Sequence, residues 1–412
     1  MTMDGLRISR RTLFGGTVAA ALSTLSSRLL GADSNSASLL RESAEEAETL
    51  VKFPPIDFPG VARHVVNSMH PQAGERAVLL FDPSYYPELT VEAELALRDA
   101  GVDPVVRLTF PPLSVPYPSD DKAIKVAEGN WDTMLGPMFE RTDLFLWLPG
   151  RNLAPDLRWE RLLGASRARC IHCHFVFGSI SDRPFKDVTF LCKLYEHAIL
   201  HADYGAMSRS MDKIIALLRG GTMRIISPGG TDLEIKVPAG AWFHKSDGDI
   251  PKERAAAARS VRDREIEHPG GALRLIPDST SAHGTLVTRV APSGVVDDEV
   301  TMEIRNGLVV NARARRDDAA FQKLWRSYGG DINKVAEIVI GTNPLLVANL
   351  ASGELPYYGY GAGALRISFG DNWESGGSLR SGVGDPLWTF VPRSTLRVGE
   401  STIIRDGVLQ VS

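Results

Sequence analysis

Ala77-Val78-Leu79-Leu80-Phe81-Asp82-Pro83 is followed by a stretch of helical spacing over residues 88–100 and then by Val105-Val106-Arg107-Leu108. The first run is apolar throughout, as a buried strand requires, and Asp82-Pro83 ends it. In the second, Leu89, Ala93, Ala96 and Leu97 fall on one helical face, and Gly101 closes the segment. The third is again a short strand. A parallel strand pair needs a crossover connection, so this alternation predicts a parallel sheet covered by helices. Leu144-Phe145-Leu146-Trp147-Leu148 supplies a further strand, and Pro-rich residues 111–118 read as a loop between them. The pattern holds from Phe53 to about Ala206.

Beyond Met207 the grammar changes. A helix over about 208–218 precedes Gly220-Gly221 and the strand Met223-Arg224-Ile225-Ile226-Ser227. Pro228-Gly229-Gly230-Thr231-Asp232 then turns the chain into Leu233-Glu234-Ile235-Lys236-Val237, a hairpin by turn chemistry and alternation. Strands continue at 284–287, 300–304 and 308–310, and Asn306-Gly307 between the last two is the strongest short hairpin signal in the chain. Residues 317–328 and 331–337 read as helices, the second with Asp331 as N-cap. Residues 359–363 form a Gly-rich loop before a strand at 364–369. The fold class expected is therefore an α/β N-terminal domain with a parallel sheet over 38–206, followed by a strand-rich α+β C-terminal domain over 207–412.

The bulk properties agree with two domains. The 412 residues are 43% hydrophobic and 23% charged, the composition of a globular protein. A formal net charge of -4 gives no reason to expect nucleic acid as a partner. A small-molecule or short peptide substrate stays compatible with this composition, which does not itself select one. Three cysteines, Cys170, Cys173 and Cys192, are too few for a disulfide framework. At the N-terminus, Ser9-Arg10-Arg11-Thr12-Leu13-Phe14 precedes a moderately apolar run over 15–30 and small residues around Ala32 and Ala37. This is the layout of an export signal over 1–37, with its arginines placed as in twin-arginine signals. The apolar run is too short to span a bilayer comfortably, so no integral membrane span is expected once the signal is removed. A working signal implies a periplasmic or extracellular location; without it the chain would be cytoplasmic. Residues 38–51 then read as a Glu-rich helix leading into the first domain.

Cys170-Ile171-His172-Cys173-His174 matches the spacing of covalent haem attachment. The following Phe175-Val176-Phe177 reads as buried strand and no second axial ligand is evident, so haem at Cys170, Cys173 and His174 is disfavoured, as is a zinc site completed by Cys192 or His197. His197 and His201, four apart on a helix, read as helix surface. A nucleophile elbow, a phosphate-binding loop and a dinucleotide fingerprint are all absent. Acidic residues beside Gly-rich turns gather late in the chain: Ala336-Glu337-Ile338-Val339-Ile340-Gly341-Thr342-Asn343-Pro344, then Gly370-Asp371-Asn372-Trp373-Glu374-Ser375-Gly376-Gly377, then Gly384-Asp385-Pro386. Such turns can draw distant carboxylates into one pocket.

Taken in order, these landmarks resemble the aminopeptidase T superfamily, the metallopeptidase group that also contains 2,5-dihydroxypyridine 5,6-dioxygenase. Gly74-Glu75-Arg76, Pro228-Gly229-Gly230-Thr231-Asp232-Leu233, Ser281-Ala282-His283-Gly284-Thr285-Leu286-Val287, Asn306-Gly307-Leu308-Val309-Val310, Gly341-Thr342-Asn343-Pro344 and residues 370–377 carry it. The resemblance implies a divalent metal (iron, zinc, cobalt or manganese) at Glu337 and Asp385, with Glu374 as base and Arg366 stabilising an oxyanion. Arg380, Asp371 and His283 become substrate-binding candidates. Val383 and Arg366 stand where histidines are expected, and Ala272 near an expected glutamate, so the implied ligand set is depleted. A metal-free alternative pairs Arg366 or Arg380 with Glu337, Asp371 or Glu374. The activity implied is that of a divergent aminopeptidase-T-like hydrolase of amide or peptide-like bonds. The alternatives are a ring-cleaving dioxygenase of a hydroxylated heteroaromatic and a non-catalytic member that has lost the metal. Relatives of this scaffold tend to be dimeric, so a homodimer is the implied assembly.

Overall fold

The structure is a computed structural model of the chain and describes residues 55–83, 85–109, 132–149, 162–175, 188–290, 299–346, 359–372, 375–383 and 386–411. The expected signal, the helix at 38–51 and the loop at 111–118 lie outside the described residues.

Five strands build a parallel sheet: β1 (Ala77–Phe81), β2 (Val105–Thr109), β3 (Leu144–Trp147), β4 (Arg169–Cys173) and β8 (Glu265–His268), in the order β2-β1-β3-β4-β8. Its fifth strand comes from far along the chain. Helices α1 (Phe58–Asn67), α2 (Pro87–Asp99) and α3 (Val188–His201) bury one face of it. Strand β1 shows why its sequence lacks polar alternation. Ala77 and Leu79 enter the core beneath those helices, while Val78 and Leu80 enter a second core on the opposite face with Phe139 and Phe145. A strand buried on both faces has no position for a polar side chain.

The remaining strands form an antiparallel sheet. They are β5 (Thr222–Ile226), β6 (Asp232–Lys236), β7 (Phe243–Ser246), β9 (Ala272–Leu275), β10 (His283–Val290), β11 (Glu299–Arg305) and β12 (Leu308–Ala314). After these come β13 (Asp331–Gly341), β14 (Leu365–Gly370), β15 (Leu387–Phe390), β16 (Thr395–Val398), β17 (Ser401–Arg405) and β18 (Val408–Leu409). The main path runs β18-β17-β16-β5-β6-β10-β15-β14-β13-β9-β7, with β11 attached to β10 and β12 to β11. The α4 helix (Tyr204–Leu218) shares the apolar core of this sheet through Met207, Met211, Ile214 and Leu218. Helices α5 (Lys252–Ala257) and α6 (Asp318–Tyr328) lie further along the chain. Both hairpins expected from the turns are present. At the second, Asn306 and Gly307 have φ of 50° and 78°, the left-handed pair that a two-residue hairpin turn demands.

One expectation is corrected. Residues 331–337 are not a helix but the start of β13, an 11-residue strand held between β9 and β14. The β-branched run Ile338-Val339-Ile340, paired on both edges, favours extension, and pairing with β14 along residues 331–337 overrides the local helical spacing there. Asp331 does not cap a helix. Its carboxylate accepts from the backbone of Arg380 at 3.0 Å and from Lys334 Nζ at 2.9 Å.

The chain passes from the parallel to the antiparallel sheet through His268-Pro269-Gly270-Gly271. Here the Gly341-Thr342-Asn343-Pro344 motif performs a structural task. Thr342 donates its backbone N–H to Gly271 O at 2.8 Å, and Asn343 Nδ2 donates to Gly270 O at 2.7 Å. Gly271 has φ of 138°, and a Cβ there would lie 2.6 Å from the Asn343 side chain, so only glycine fits. Among the described residues no helix is long and apolar enough to cross a membrane.

Candidate functional site

Two rows of side chains, one on each sheet, converge on a buried cluster. On the parallel sheet, Trp147 of β3 stands beside His172 of β4, which stands beside Glu267 of β8. Residues in register across adjacent strands share a face, and His174, two residues on, shares it too. The row lies at the carboxyl ends of its strands, where open α/β sheets bind ligands. Trp147 stacks on His172 with ring centroids 4.4 Å apart, and the His172 and His174 rings are 3.7 Å apart. His174 Nε2 lies 3.6 Å from Glu267 Oε1.

On the antiparallel sheet, Val339 of β13 is flanked by Arg274 of β9 and Arg366 of β14. Glu337, two residues back on the central strand, projects from the same face. One carboxylate therefore meets two guanidinium groups. Arg366 Nη2 donates to Glu337 Oε1 at 3.0 Å, Arg274 Nη1 donates to the same oxygen at 3.3 Å, and Ser375 Oγ donates to Oε2 at 2.6 Å. The Arg366 guanidinium also lies over the Trp388 ring, 4.8 Å from its centroid.

Arg274 joins the two rows. Its Nη2 donates to Glu267 Oε1 and Oε2 at 3.1 and 3.0 Å and to Tyr360 Oη at 2.6 Å, while Tyr360 donates to Glu267 Oε2 at 2.5 Å. Glu267, Arg274, Glu337 and Arg366 form a continuous alternation of charge, and all four are buried. Such a network survives burial only because every charge meets an opposite one.

Protonation follows from this arrangement. Burial would raise the Glu267 carboxyl, but Arg274, the adjacent His174 and Arg262 overcome it and hold the group well below the usual carboxylate value. Glu337 is lowered in the same way, with burial outweighed by Arg274, Arg366, Ser375 and Arg262. Burial, aided by the charges of His174, Arg262 and Arg274, drives His172 well below the usual histidine value against the pull of Glu267. Its imidazole is therefore neutral at pH 7. Tyr360 is pushed upward, chiefly by burial and also by Glu267, so its hydroxyl stays a donor.

The sequence-derived candidates scatter. Glu337 and Arg366 are together in the network, and Arg366 is 0% exposed, closed off from solvent. Asp371 is buried and accepts from the Ser381 backbone at 2.9 Å. Arg380 is exposed and donates to the Gly377 and Leu379 carbonyls. His283 stands exposed at the start of β10, 3.5 Å from Glu234. Glu374 and Asp385 lie outside the described residues. In the sequence, Cys170, Cys173 and His174 stand out as a haem spacing and as a zinc site completed by Cys192 or His197, both disfavoured there. In β4, Cys170 and Cys173 enter the cores on opposite faces of the sheet, an arrangement that cannot present both thiols to one porphyrin edge. Burial also pushes the Cys173 thiol up to about 12.

The same geometry decides where a cation fits. At Glu337, one oxygen already accepts from two guanidinium groups and the other from Ser375, so an ion there would meet two permanent positive charges. That position does not fit a metal. His172, His174 and Glu267 do: two imidazoles and a carboxylate whose ligand atoms all lie within 4.8 Å of one another.

The chain's path can be compared with solved structures. It superposes on 2,5-dihydroxypyridine dioxygenase from Pseudomonas putida KT2440 with a TM-score of 0.62 at 16% identity, covering 85% of this chain and 96% of that one. The chain shares that fold. It also superposes on wild-type AmpT from Thermus thermophilus with a TM-score of 0.59 at 13% identity, covering 85% of this chain and 99% of that one. No family model and no curated protein matches the sequence. The architecture expected from the ordered landmarks is thus found as a shared fold, which the dioxygenase and AmpT both adopt.

Proposed function

We propose that the chain is an enzyme that hydrolyses an amide or peptide-like bond in a small substrate at the carboxyl edge of its parallel sheet. The observation that carries this reading is the row Trp147, His172, Glu267, with His174 beside it. His172 is neutral and partly open to solvent, so it can accept a proton from an attacking water. Glu267, fixed by Arg274 and Tyr360, gives that side of the site a permanent negative charge that stabilises the imidazolium formed. Trp147 holds the His172 ring flat and offers an apolar wall to the substrate. With a divalent ion held by His172, His174 and Glu267, His172 would be a ligand and not the proton acceptor, and the ion would instead supply Lewis acidity toward the scissile carbonyl. Glu337 and Arg366 act at a distance, by holding Arg274 and hence Glu267 in place.

A second reading, ring-cleaving oxygenation of a hydroxylated heteroaromatic, is favoured by one observation. Two histidines and one carboxylate are the ligand types of non-haem iron oxygenases. The full-length chain should be assayed against aryl amides and dipeptides by amine release, and against dihydroxypyridines by oxygen uptake. Amine release lost in His172→Ala supports the hydrolase. Oxygen uptake with no amine release replaces it with the oxygenase. Neither activity, in a folded protein, leaves the non-catalytic reading. Export is proposed on the twin-arginine layout alone, and cell fractionation with and without Arg10→Lys/Arg11→Lys tests it.

A further inference from the structure

We infer that His172, His174 and Glu267 form a mononuclear binding site for a nitrogen-preferring divalent transition ion such as zinc. The site is distinct from Glu337, which the resemblance implies as a metal ligand and which lies at the other end of the network.

Three observations carry this. The first is spacing. Ligands on a tetrahedral zinc ion with bonds of about 2.0–2.1 Å lie roughly 3.3 Å from each other. His174 Nε2 and Glu267 Oε1 are 3.6 Å apart, too long for a hydrogen bond and close to that ligand–ligand separation. All three ligand atoms fall within 4.8 Å of one another, so rotamer-scale adjustments suffice to close on one ion. The second is how the ligands are delivered. His172 and Glu267 are register partners on adjacent strands, and His174 is tied to β8 by its backbone N–H, which donates to His268 O at 2.7 Å. The three side chains therefore rise from rigid backbone, the support that a preformed site needs. The third is the surrounding shell. The Glu267 carboxylate is oriented by Arg274 and Tyr360, and His172 is clamped by Trp147.

The donor set also sets selectivity. Two imidazoles suit zinc, iron or cobalt, whereas magnesium and calcium take all-oxygen shells. Arg274 works against a cation. Its charge is shared between Glu267 and Glu337, however, so the four buried groups of the network sum to zero before an ion arrives.

Equilibrium dialysis of the full-length chain against zinc, followed by metal analysis, should give one equivalent, and cobalt substitution should give visible ligand-field bands. His172→Ala and His174→Ala should each weaken zinc binding by at least tenfold. The double variant His197→Ala/His201→Ala removes the exposed histidine pair on α3, whose rings lie 4.8 Å apart, and should bind as wild type does. X-ray absorption on the wild-type zinc complex should show two imidazoles and no sulfur, a readout that needs no variant to fold. Sulfur scattering, loss of binding in the α3 variant, or no stoichiometric binding by the wild type would each overturn the site. Metal binding shares residues with the proposed reaction, yet the two can fail apart. Zinc bound without amine release removes the hydrolase and keeps the site; amine release without metal does the reverse.

Discussion

Glu267 and Glu337 are both buried carboxylates, and both accept hydrogen bonds from Arg274, but their remaining neighbours differ in kind. Glu337 is enclosed by a second guanidinium and a serine, so its charge is consumed within the fold. Glu267 faces two imidazoles across a gap wider than a hydrogen bond. Guanidinium charge is permanent, whereas an imidazole can gain a proton, lose one or accept an ion. The difference shows how a scaffold can keep a polar cluster while changing which end of it is reactive. The end at Glu337 is closed by charge pairing. The end at Glu267 is left open to chemistry.

The most forceful way to break this contrast is Glu337→Ala. It leaves two buried guanidinium groups facing one fewer carboxylate and should cost about 3–5 kcal/mol in urea unfolding. A loss below about 1 kcal/mol would mean that the Glu337 end is not closed. Next in size is Gly271→Ala, which forces a side chain into left-handed backbone against Asn343 and should cost roughly 1–3 kcal/mol by the same measurement. Acid comes third. Burial lowers His172, His244 and His268 well below their unfolded value near 6.5. The unfolded chain therefore binds protons that the folded chain does not, and stability present above about pH 6.5 is lost as pH falls below it. Each such histidine should account for roughly 1 kcal/mol between pH 7 and 5.5, measured as a fall in the urea midpoint. The smallest effect tests burial against distance. Arg224 meets Asp232 at 3.0 Å, the same separation as Arg366 and Glu337, yet both partners are more than half exposed. Arg224→Ala should leave the unfolding midpoint within error of wild type.

Much of the architecture was legible before the structure. The buried run at 77–81 and the helix after it encode the parallel sheet, because a strand covered on both faces shows its burial in every residue. The turns at 228–232 and 306–307 encode the hairpins, because their φ values restrict residue choice. The strand at 331–341 was hidden, since its extension is imposed by neighbours far away in sequence. The site was less legible than the fold. Glu337 drew attention because it precedes a glycine turn, and Arg366 because the resemblance puts a histidine at its position. His172 was visible only within a haem spacing and a disfavoured zinc set completed by Cys192 or His197, and Glu267 lies 95 positions beyond it on another strand, joined by register alone. One signal was present. Glu265-Ile266-Glu267-His268 alternates charge with an apolar side chain inside a buried strand, and acids in such a place imply partners on one face.

The short crossing at 269–271 deserves a last consequence. It is the covalent tie between the strand that bears Glu267 and the strand that bears Arg274, and the 342–343 backbone and side chain fasten it. The reach of Arg274 toward each carboxylate is thus a matter of alignment at a seam, like the gap of a vice fixed by its screw. Substitutions along that seam, touching neither carboxylate, would retune the acidity of both ends together.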